Sequence, residues 1–314
     1  MKAAVVLGAG QSPVYRDFAE PDADGARIVV TAAAISPIVK ARASGAHYSS
    51  GDQFPFVVGI DGVGRLEDGS RVYFALPKTP FGSMAEVAVV RPSQCVALPD
   101  GLDDVTAAAI ANPGMSSWAA YTERAKLVAG ETVLVNGATG TAGRLAVQIA
   151  RYLGAKTIIA TGRNPEALRA VAALGADVVI PLDDGATMDA AFAKQFASGV
   201  DVVIDYLWGN SAERLLTAAT KVGRDAVPIR FVQVGASSGA NIGLPSSVLR
   251  SSAITLMGSG IGSIPLDRLI HAAGAVLQAA VPGGFAIATK PVPLSTVEAA
   301  WPLDDSRRRT VFTI

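Results

Sequence analysis

The 314-residue sequence predicts an α/β protein built from a doubly wound parallel sheet and a second, mostly β domain. Three observations predict it. Short apolar and β-branched runs separated by Gly, Pro, Asp and Ser occupy residues 27–90. From Glu131 onward, apolar runs of strand length alternate with amphipathic runs of helix length, the pattern of βαβ units. One of those strands leads through glycines straight into a helix.

Taken in order, residues 3–7 form a first strand, too short for a signal-peptide core and running into Gly8-Ala9-Gly10-Gln11-Ser12-Pro13. That segment imitates a strand leading to Gly-x-Gly, but the third glycine is missing and Pro13 breaks any helix, so it reads as a turn. Strands follow at 27–35, 56–64, 71–75 and 84–90. An alanine-rich helix over 103–111 is expected to be interrupted at Asn112-Pro113-Gly114, with a second helical stretch over 115–124. Six strands are expected next, at 132–136, 157–160, 178–180, 200–205, 230–234 and 254–257, enough for a complete dinucleotide-binding sheet. A long helix over 266–280 precedes Pro282-Gly283-Gly284 and β-like runs that include 310–314. The expected division is 1–112, a first domain; 113–262, the parallel-sheet domain; and 263–314, a tail returning to the first domain.

Composition narrows the function. With 27 basic and 27 acidic side chains the formal net charge is zero, so no overall field draws the chain to nucleic acid or an anionic membrane, and a small molecule is the expected partner. No run reaches the roughly 18 apolar residues of a spanning helix. The single cysteine, Cys95, excludes an intramolecular disulfide and any multi-cysteine metal site; it reads as a small buried side chain. A reducing, cytoplasmic location is expected.

The cofactor motif is Thr132-Val133-Leu134-Val135-Asn136-Gly137-Ala138-Thr139-Gly140-Thr141-Ala142-Gly143, a buried strand, a glycine-rich turn and a helix start. Gly140 lets backbone amides approach a pyrophosphate, Gly143 lets the helix pack closely on the strand, and the helix N-terminus presents unsatisfied N–H groups. About 20 residues past such glycines, NAD-binding proteins place an acidic residue on the ribose hydroxyls. Here the strand ends in Thr161-Gly162-Arg163-Asn164, with no carboxylate to repel a 2′-phosphate and Arg163 able to pair with one. NADPH is therefore the expected cofactor. Asn164 is also a natural cap for a helix starting at Pro165.

Beyond these motifs, the chain resembles the quinone oxidoreductase-type members of the medium-chain dehydrogenase/reductase superfamily over nearly its full length. The matching stretches are Ile35-Ser36-Pro37, Arg42-Ala43-Ser44-Gly45, Pro55-Phe56-Val57-Val58-Gly59-Ile60-Asp61-Gly62-Val63-Gly64, Phe81-Gly82-Ser83-Met84-Ala85-Glu86, the glycine-rich turn and Asp201-Val202-Val203-Ile204-Asp205. The resemblance implies a GroES-like catalytic domain, a Rossmann domain and a cleft where nicotinamide meets substrate. It implies pyrophosphate contacts at Gly140, Thr141 and Ala142 and adenosine-phosphate contacts at Gly162, Arg163 and Asn164. Further cofactor contacts are implied at Tyr206, Leu207, Gly235, Ala236, Met257, Gly258 and Ser259. Ser116 matches a position near the nicotinamide usually held by threonine. A homodimer formed by edge pairing of the last Rossmann strand is also implied.

The departures are as informative. Zinc-dependent relatives carry Gly-His-Glu where this chain has Gly59-Ile60-Asp61, and Ile60 cannot ligate a metal, so a metal-free protein is expected. Relatives read Asn-Pro-x-Asp where this chain has Ser36-Pro37-Ile38-Val39, and His47-Tyr48 falls near the place of a family active-site tyrosine. The expected activity is hydride transfer from NADPH to a quinone or an α,β-unsaturated carbonyl, with Ser36, Tyr48, Asn112 or Ser116 supplying the hydrogen bond to the acceptor. The alternatives are an enoyl-thioester or enone reductase, and a non-catalytic NADPH-binding sensor, since fold does not dictate function.

Overall fold

A computed structural model describes residues 1–22, 24–45, 53–183, 185–223, 225–304 and 308–314. Among the described residues, no helix is long and apolar enough to cross a membrane. The chain forms two compact units, Met1–Asn112 with Ile270–Ile314, and Pro113–Leu269.

The first unit opens with strands β1 (Lys2–Val6), β2 (Val14–Asp17) and β3 (Ala26–Ala34), a short helix α1 (Pro37–Ala43), and strands β4 (Phe56–Val57), β5 (Asp61–Arg65), β6 (Arg71–Ala75), β7 (Val87–Val90) and β8 (Cys95–Ala97). Helix α2 (Asp104–Ala119) follows. The second unit adds β9 (Thr132–Asn136), α3 (Thr141–Tyr152), β10 (Thr157–Gly162), α4 (Pro165–Ala173), β11 (Val178–Pro181), α5 (Ala186–Ser198), β12 (Val202–Asp205), α6 (Gly209–Val222), β13 (Ile229–Gln233), α7 (Ser246–Arg250) and β14 (Ile254–Gly258). After α8 (Leu266–Ala280), the chain closes with β15 (Thr289–Pro293), α9 (Val297–Ala300) and β16 (Arg309–Thr313).

In the second unit the six strands lie in the order β11-β10-β9-β12-β13-β14, all parallel. Strand order therefore reverses between β9 and β12, the arrangement of the doubly wound dinucleotide-binding sheet. The strands are nearly continuous apolar runs because both faces of a parallel sheet are covered: Val133, Leu134 and Val135 are fully buried, as are Val202, Val203 and Ile204. Phe192, Phe196, Leu215, Leu216 and Phe231 fill one face.

The first unit holds two sheets, β2-β1-β4 and β15-β16-β3-β5-β6-β8, with β7 also paired to β3. The single strand expected at 56–64 is instead two. Gly59 turns the chain with φ +103°, and a methyl group there would meet the Ser83 hydroxyl oxygen at 2.3 Å. This turn sends β4 to pair with β1 while β5 pairs with β3 and β6. The run expected at 84–90 divides in the same way: the backbone around Met84 bonds to Ala4, and only Val87–Val90 pairs with β3.

The expected interruption at Pro113 does not occur, because α2 runs through it and continues as a π-helical turn, Ala120–Ala125. Proline in a helix interior costs about 3 kcal/mol. Here the helix buries Ala107 to Ala111 almost completely, and the Pro113 carbonyl accepts both the Ser116 hydroxyl at 2.8 Å and the Ser117 hydroxyl at 3.0 Å. Tertiary burial thus outweighs local propensity.

At the start of β5, Asp61 is buried, accepts the Tyr73 hydroxyl at 3.2 Å and feels the buried Arg309 of β16. Burial pushes its carboxyl from 3.8 up to about 6, against the opposing pull of Arg309 and then Tyr73. The folded state consequently holds more protons than the unfolded state between these values. Asp61's contribution is fully present below the unfolded pKa and is lost as pH rises through the folded one, by about 3 kcal/mol in all. In paired thermal-unfolding scans, Asp61→Asn is expected to gain stability relative to wild type as pH rises from about 4 to about 6, with the difference level above that window. A pH-independent difference between the two proteins would refute this assignment.

Candidate functional site

The glycine-rich turn lies at the carboxyl end of β9, where strand order reverses. Its glycines have distinct physical duties. Gly137 adopts φ +86°, and a methyl group there would meet the Leu207 side chain at 2.8 Å. At Gly143 the methyl would lie 2.3 Å from the Gly137 carbonyl oxygen and 2.6 Å from the Ala138 Cα, so α3 sits directly on the turn only because position 143 has no side chain. Gly140 is different: its φ is −76° and the nearest atom to such a methyl is the Gly137 carbonyl oxygen at 3.8 Å, leaving open space above it.

Gly140 is the N-cap of α3 and no side chain caps that helix. The first-turn amides of Thr141, Ala142 and Gly143 have no partner within the helix and meet the positive end of its dipole. An open cradle at Gly140 with uncapped amides beside it fits an anionic diphosphate.

At the end of β10, Gly162 is required by packing inside the protein: a methyl there would collide with Thr139 Cγ2 at 2.3 Å. The turn and the end of β10 therefore interlock. Arg163 follows, exposed and without an ion pair among the described residues. Asn164 caps α4, its side-chain oxygen accepting the Ala167 N–H at 2.9 Å.

The remaining cofactor candidates cluster at the carboxyl ends of β12, β13 and β14. Tyr206 follows β12 and its hydroxyl lies 2.7 Å from the Ser117 hydroxyl, which itself reaches the Ala142 carbonyl at 3.3 Å. Burial pushes the Tyr206 phenol up to about 12, with Ser117 and Ser116 pulling it down, so it is a poor proton donor near neutrality. Leu207 packs against Gly137. Gly235 donates its N–H to the Asp205 carbonyl, and a methyl at Gly235 would lie 2.7 Å from the Tyr206 carbonyl oxygen. Ala236 is exposed, Met257 and Gly258 pair with Val232 and Gln233, and Ser259 donates to the Gln233 carbonyl.

The acceptor-side candidates are less uniform. Ser116 spends its hydroxyl proton on Pro113. In the other unit, Ser36 is buried as the N-cap of α1, accepting the Val39 N–H at 3.3 Å, and Asn112 is half-buried in α2. His47 and Tyr48 lie outside the described residues. Ile60 is buried in an apolar cluster with Val39, Val58 and Met84. Among the described residues, no group of three or more His, Cys, Asp and Glu side chains is arranged to hold a metal ion.

Four polar residues beneath the turn received no role from the motif: Asn136, Thr161, Asp205 and Ser211, all buried, with Thr161, Asp205 and Ser211 each hydrogen bonded to Asn136. The signal was present as polar residues closing otherwise apolar strands, but only the parallel register brings Asn136 beside Asp205. Burial raises the Asp205 carboxyl, and the N–H groups of Leu207, Asn136 and Trp208 pull it back down.

The two structural glycine duties separate in the laboratory. In calorimetry without nucleotide, Gly143→Ala is expected to lose about 1–3 kcal/mol of stability from overpacking while Gly140→Ala stays within roughly 0.5 kcal/mol of wild type. Equal losses in the two variants would contradict the geometry.

Comparison with known proteins agrees with this architecture. Residues 142–276 match the family model described as zinc-binding dehydrogenase. The chain is 28% identical to the probable NADPH-dependent quinone reductase tdiC of Emericella nidulans, with 96% of each chain covered. It is 28% identical to the quinone oxidoreductase of Rattus norvegicus, over 87% of this chain and 81% of that one. Among solved structures, the quinone oxidoreductase from Thermus thermophilus, determined also in its complex with NADPH, superposes with a TM-score of 0.83 at 26% identity, covering 100% of both chains. Relatives and solved structures together support a quinone oxidoreductase-like protein of the medium-chain dehydrogenase/reductase superfamily.

Proposed function

We propose that this chain is an NADPH-dependent reductase that passes a hydride to a quinone or an α,β-unsaturated carbonyl without a metal ion. The observation that carries this reading is the open, uncapped cradle at Gly140, joined to a β10 terminus that bears Arg163 in place of a carboxylate. The names of the Emericella nidulans and Thermus thermophilus relatives, which mention NADPH and quinone, support it.

The residues present suit each part of the dinucleotide. Backbone amides of Thr141, Ala142 and Gly143 take the diphosphate, and Arg163 takes the 2′-phosphate through charge-assisted hydrogen bonds. The backbone at Gly235, Ala236 and Ser259 borders the nicotinamide half, since a dinucleotide lies across the carboxyl ends of the strands. Ser116 and Tyr206 hold hydroxyls beside the first turn of α3 and orient that half. When bound, the dihydronicotinamide supplies the hydride from its C4.

Hydride transfer asks the protein for proximity, exclusion of water and a hydrogen bond to the acceptor oxygen, none of which requires a metal. Ile60, in the place where zinc-dependent relatives have histidine, is consistent with that economy. Tyr206, with its phenol raised to about 12, is an orienting group; the proton for the acceptor oxygen comes from solvent or from Tyr48.

The decisive assay is fluorescence titration with NADPH and NADH followed by oxidation assays against quinones and enones. Wild type is expected to prefer NADPH, with Arg163→Ala reducing that preference by at least about tenfold. Ser116→Ala is expected to lower turnover while leaving NADPH affinity within about threefold. An unchanged nucleotide preference in Arg163→Ala would sink the phosphate assignment, and NADPH binding without oxidation by any acceptor would sink the reductase.

We further propose a cytoplasmic homodimer. In the sheet, β14 pairs with β13 along one edge only, and an apolar edge strand invites partnering with a second copy. Sedimentation equilibrium is expected to return twice the 32.0 kDa chain mass; the single-chain mass at micromolar concentration would refute pairing.

A further inference from the structure

Asn136, Thr161 and Asp205 are each 0% exposed at the carboxyl ends of β9, β10 and β12. Burying three polar side chains together is costly unless every donor finds an acceptor. Here the proton inventory runs one way. The Gly137 N–H donates to Thr161 Oγ1 at 3.0 Å, so the threonine's only proton goes to Asn136 Oδ1 at 2.7 Å. That assignment turns the Asn136 amide nitrogen toward Asp205 Oδ1 at 2.8 Å and Ser211 Oγ at 2.9 Å. Asp205 only accepts: besides Asn136, its Oδ1 takes the Leu207 N–H at 3.0 Å, and both of its oxygens take the Trp208 N–H at 3.1 Å.

The two ends of this relay hold backbone with positive φ. At one end Gly137 has φ +86°. At the other Trp208 has φ +59° and ψ −157°, a conformation that side-chain-bearing residues avoid. Between them Leu207 packs directly over Gly137. A purely apolar filling would satisfy burial, but it would leave the Gly137 N–H orphaned and the 206–208 turn without its acceptors.

We infer that Asn136, Thr161 and Asp205 are positioning residues of the nucleotide site, setting the glycine-rich turn and the 206–208 turn as one unit that requires a bridging proton between positions 136 and 205. The inference rests on the reading of the glycine-rich turn as a dinucleotide site. None of the three needs to touch the nucleotide. They act through Gly137, which opens the turn, and through Tyr206 and Leu207, which follow β12.

Asn136→Asp converts the requirement into a pH-dependent one. Two carboxylates at hydrogen-bond distance cannot both ionise cheaply, so at low pH they share a proton that replaces the amide bridge, and at high pH they repel. NADPH titration of the full-length chain, with each variant's Kd divided by the wild-type Kd at the same pH, is expected to give a ratio within about threefold at about pH 5.5 and above about tenfold at about pH 8.5. Asn136→Asp/Asp205→Asn restores one amide and one carboxylate and is expected to abolish most of that pH dependence. Thr161→Val, which keeps shape but orphans the Gly137 N–H, is expected to weaken binding about tenfold, and Thr161→Ser to restore it.

The inference is overturned if the Asn136→Asp ratio is flat with pH, if the double variant remains as weak as the single one at high pH, or if Thr161→Val binds like wild type. Should Asn136→Asp fail to fold, the Thr161 pair decides alone. A wild-type chain that binds no NADPH overturns the dinucleotide reading and this inference with it, whereas a wild type that binds beside a pH-flat Asn136→Asp ratio overturns only the positioning role.

Discussion

The second unit depends on the contact of α3 with the turn that precedes it. At Gly143 the helix approaches the Gly137 carbonyl and Ala138 so closely that even one methyl group has no place. That approach sets where the helix N-terminus points, and with it the location of the uncapped amides at the reversal of strand order. Gly137, Thr139 and Gly162 then lock the turn laterally, since Thr139 fills the space that a side chain on β10 would have taken.

Beneath this contact the polar network does what apolar packing cannot. Dispersion and burial hold β9, β10 and β12 together, yet they are non-directional and tolerate small slips. Hydrogen bonds from Gly137 through Thr161 and Asn136 to Asp205 are directional, and they join the ends of three different strands. Holding the aim of backbone N–H groups at the end of a turn takes directional support of this kind.

The first unit shows a different logic. Asp61 and Arg309 place opposite charges in its interior, near enough for the guanidinium to pull the carboxyl down, with the Tyr73 hydroxyl donating to the carboxylate. The position next to Asp61, where zinc-dependent relatives carry histidine, is Ile60 in an apolar cluster.

Much of this was legible in the sequence. The six strands of the parallel sheet, the glycine-rich turn, the Asn164 cap and the long helix at 266–280 all follow from local periodicity and from residues whose backbone preferences are strong. What local pattern misread was continuity: Pro113 does not end α2, because the buried alanines before it make the helix worth keeping. The run at 56–64 and the run at 84–90 each serve two sheets, a choice made by strand partners and not by propensity. By itself, then, the sequence determined the class of fold and the place of the glycine-rich turn, since periodicity and glycine spacing are properties of neighbouring residues. Only the tertiary structure decided that Asn136, Thr161 and Asp205 meet, because residues 25 and 69 positions apart become neighbours solely through parallel strand pairing.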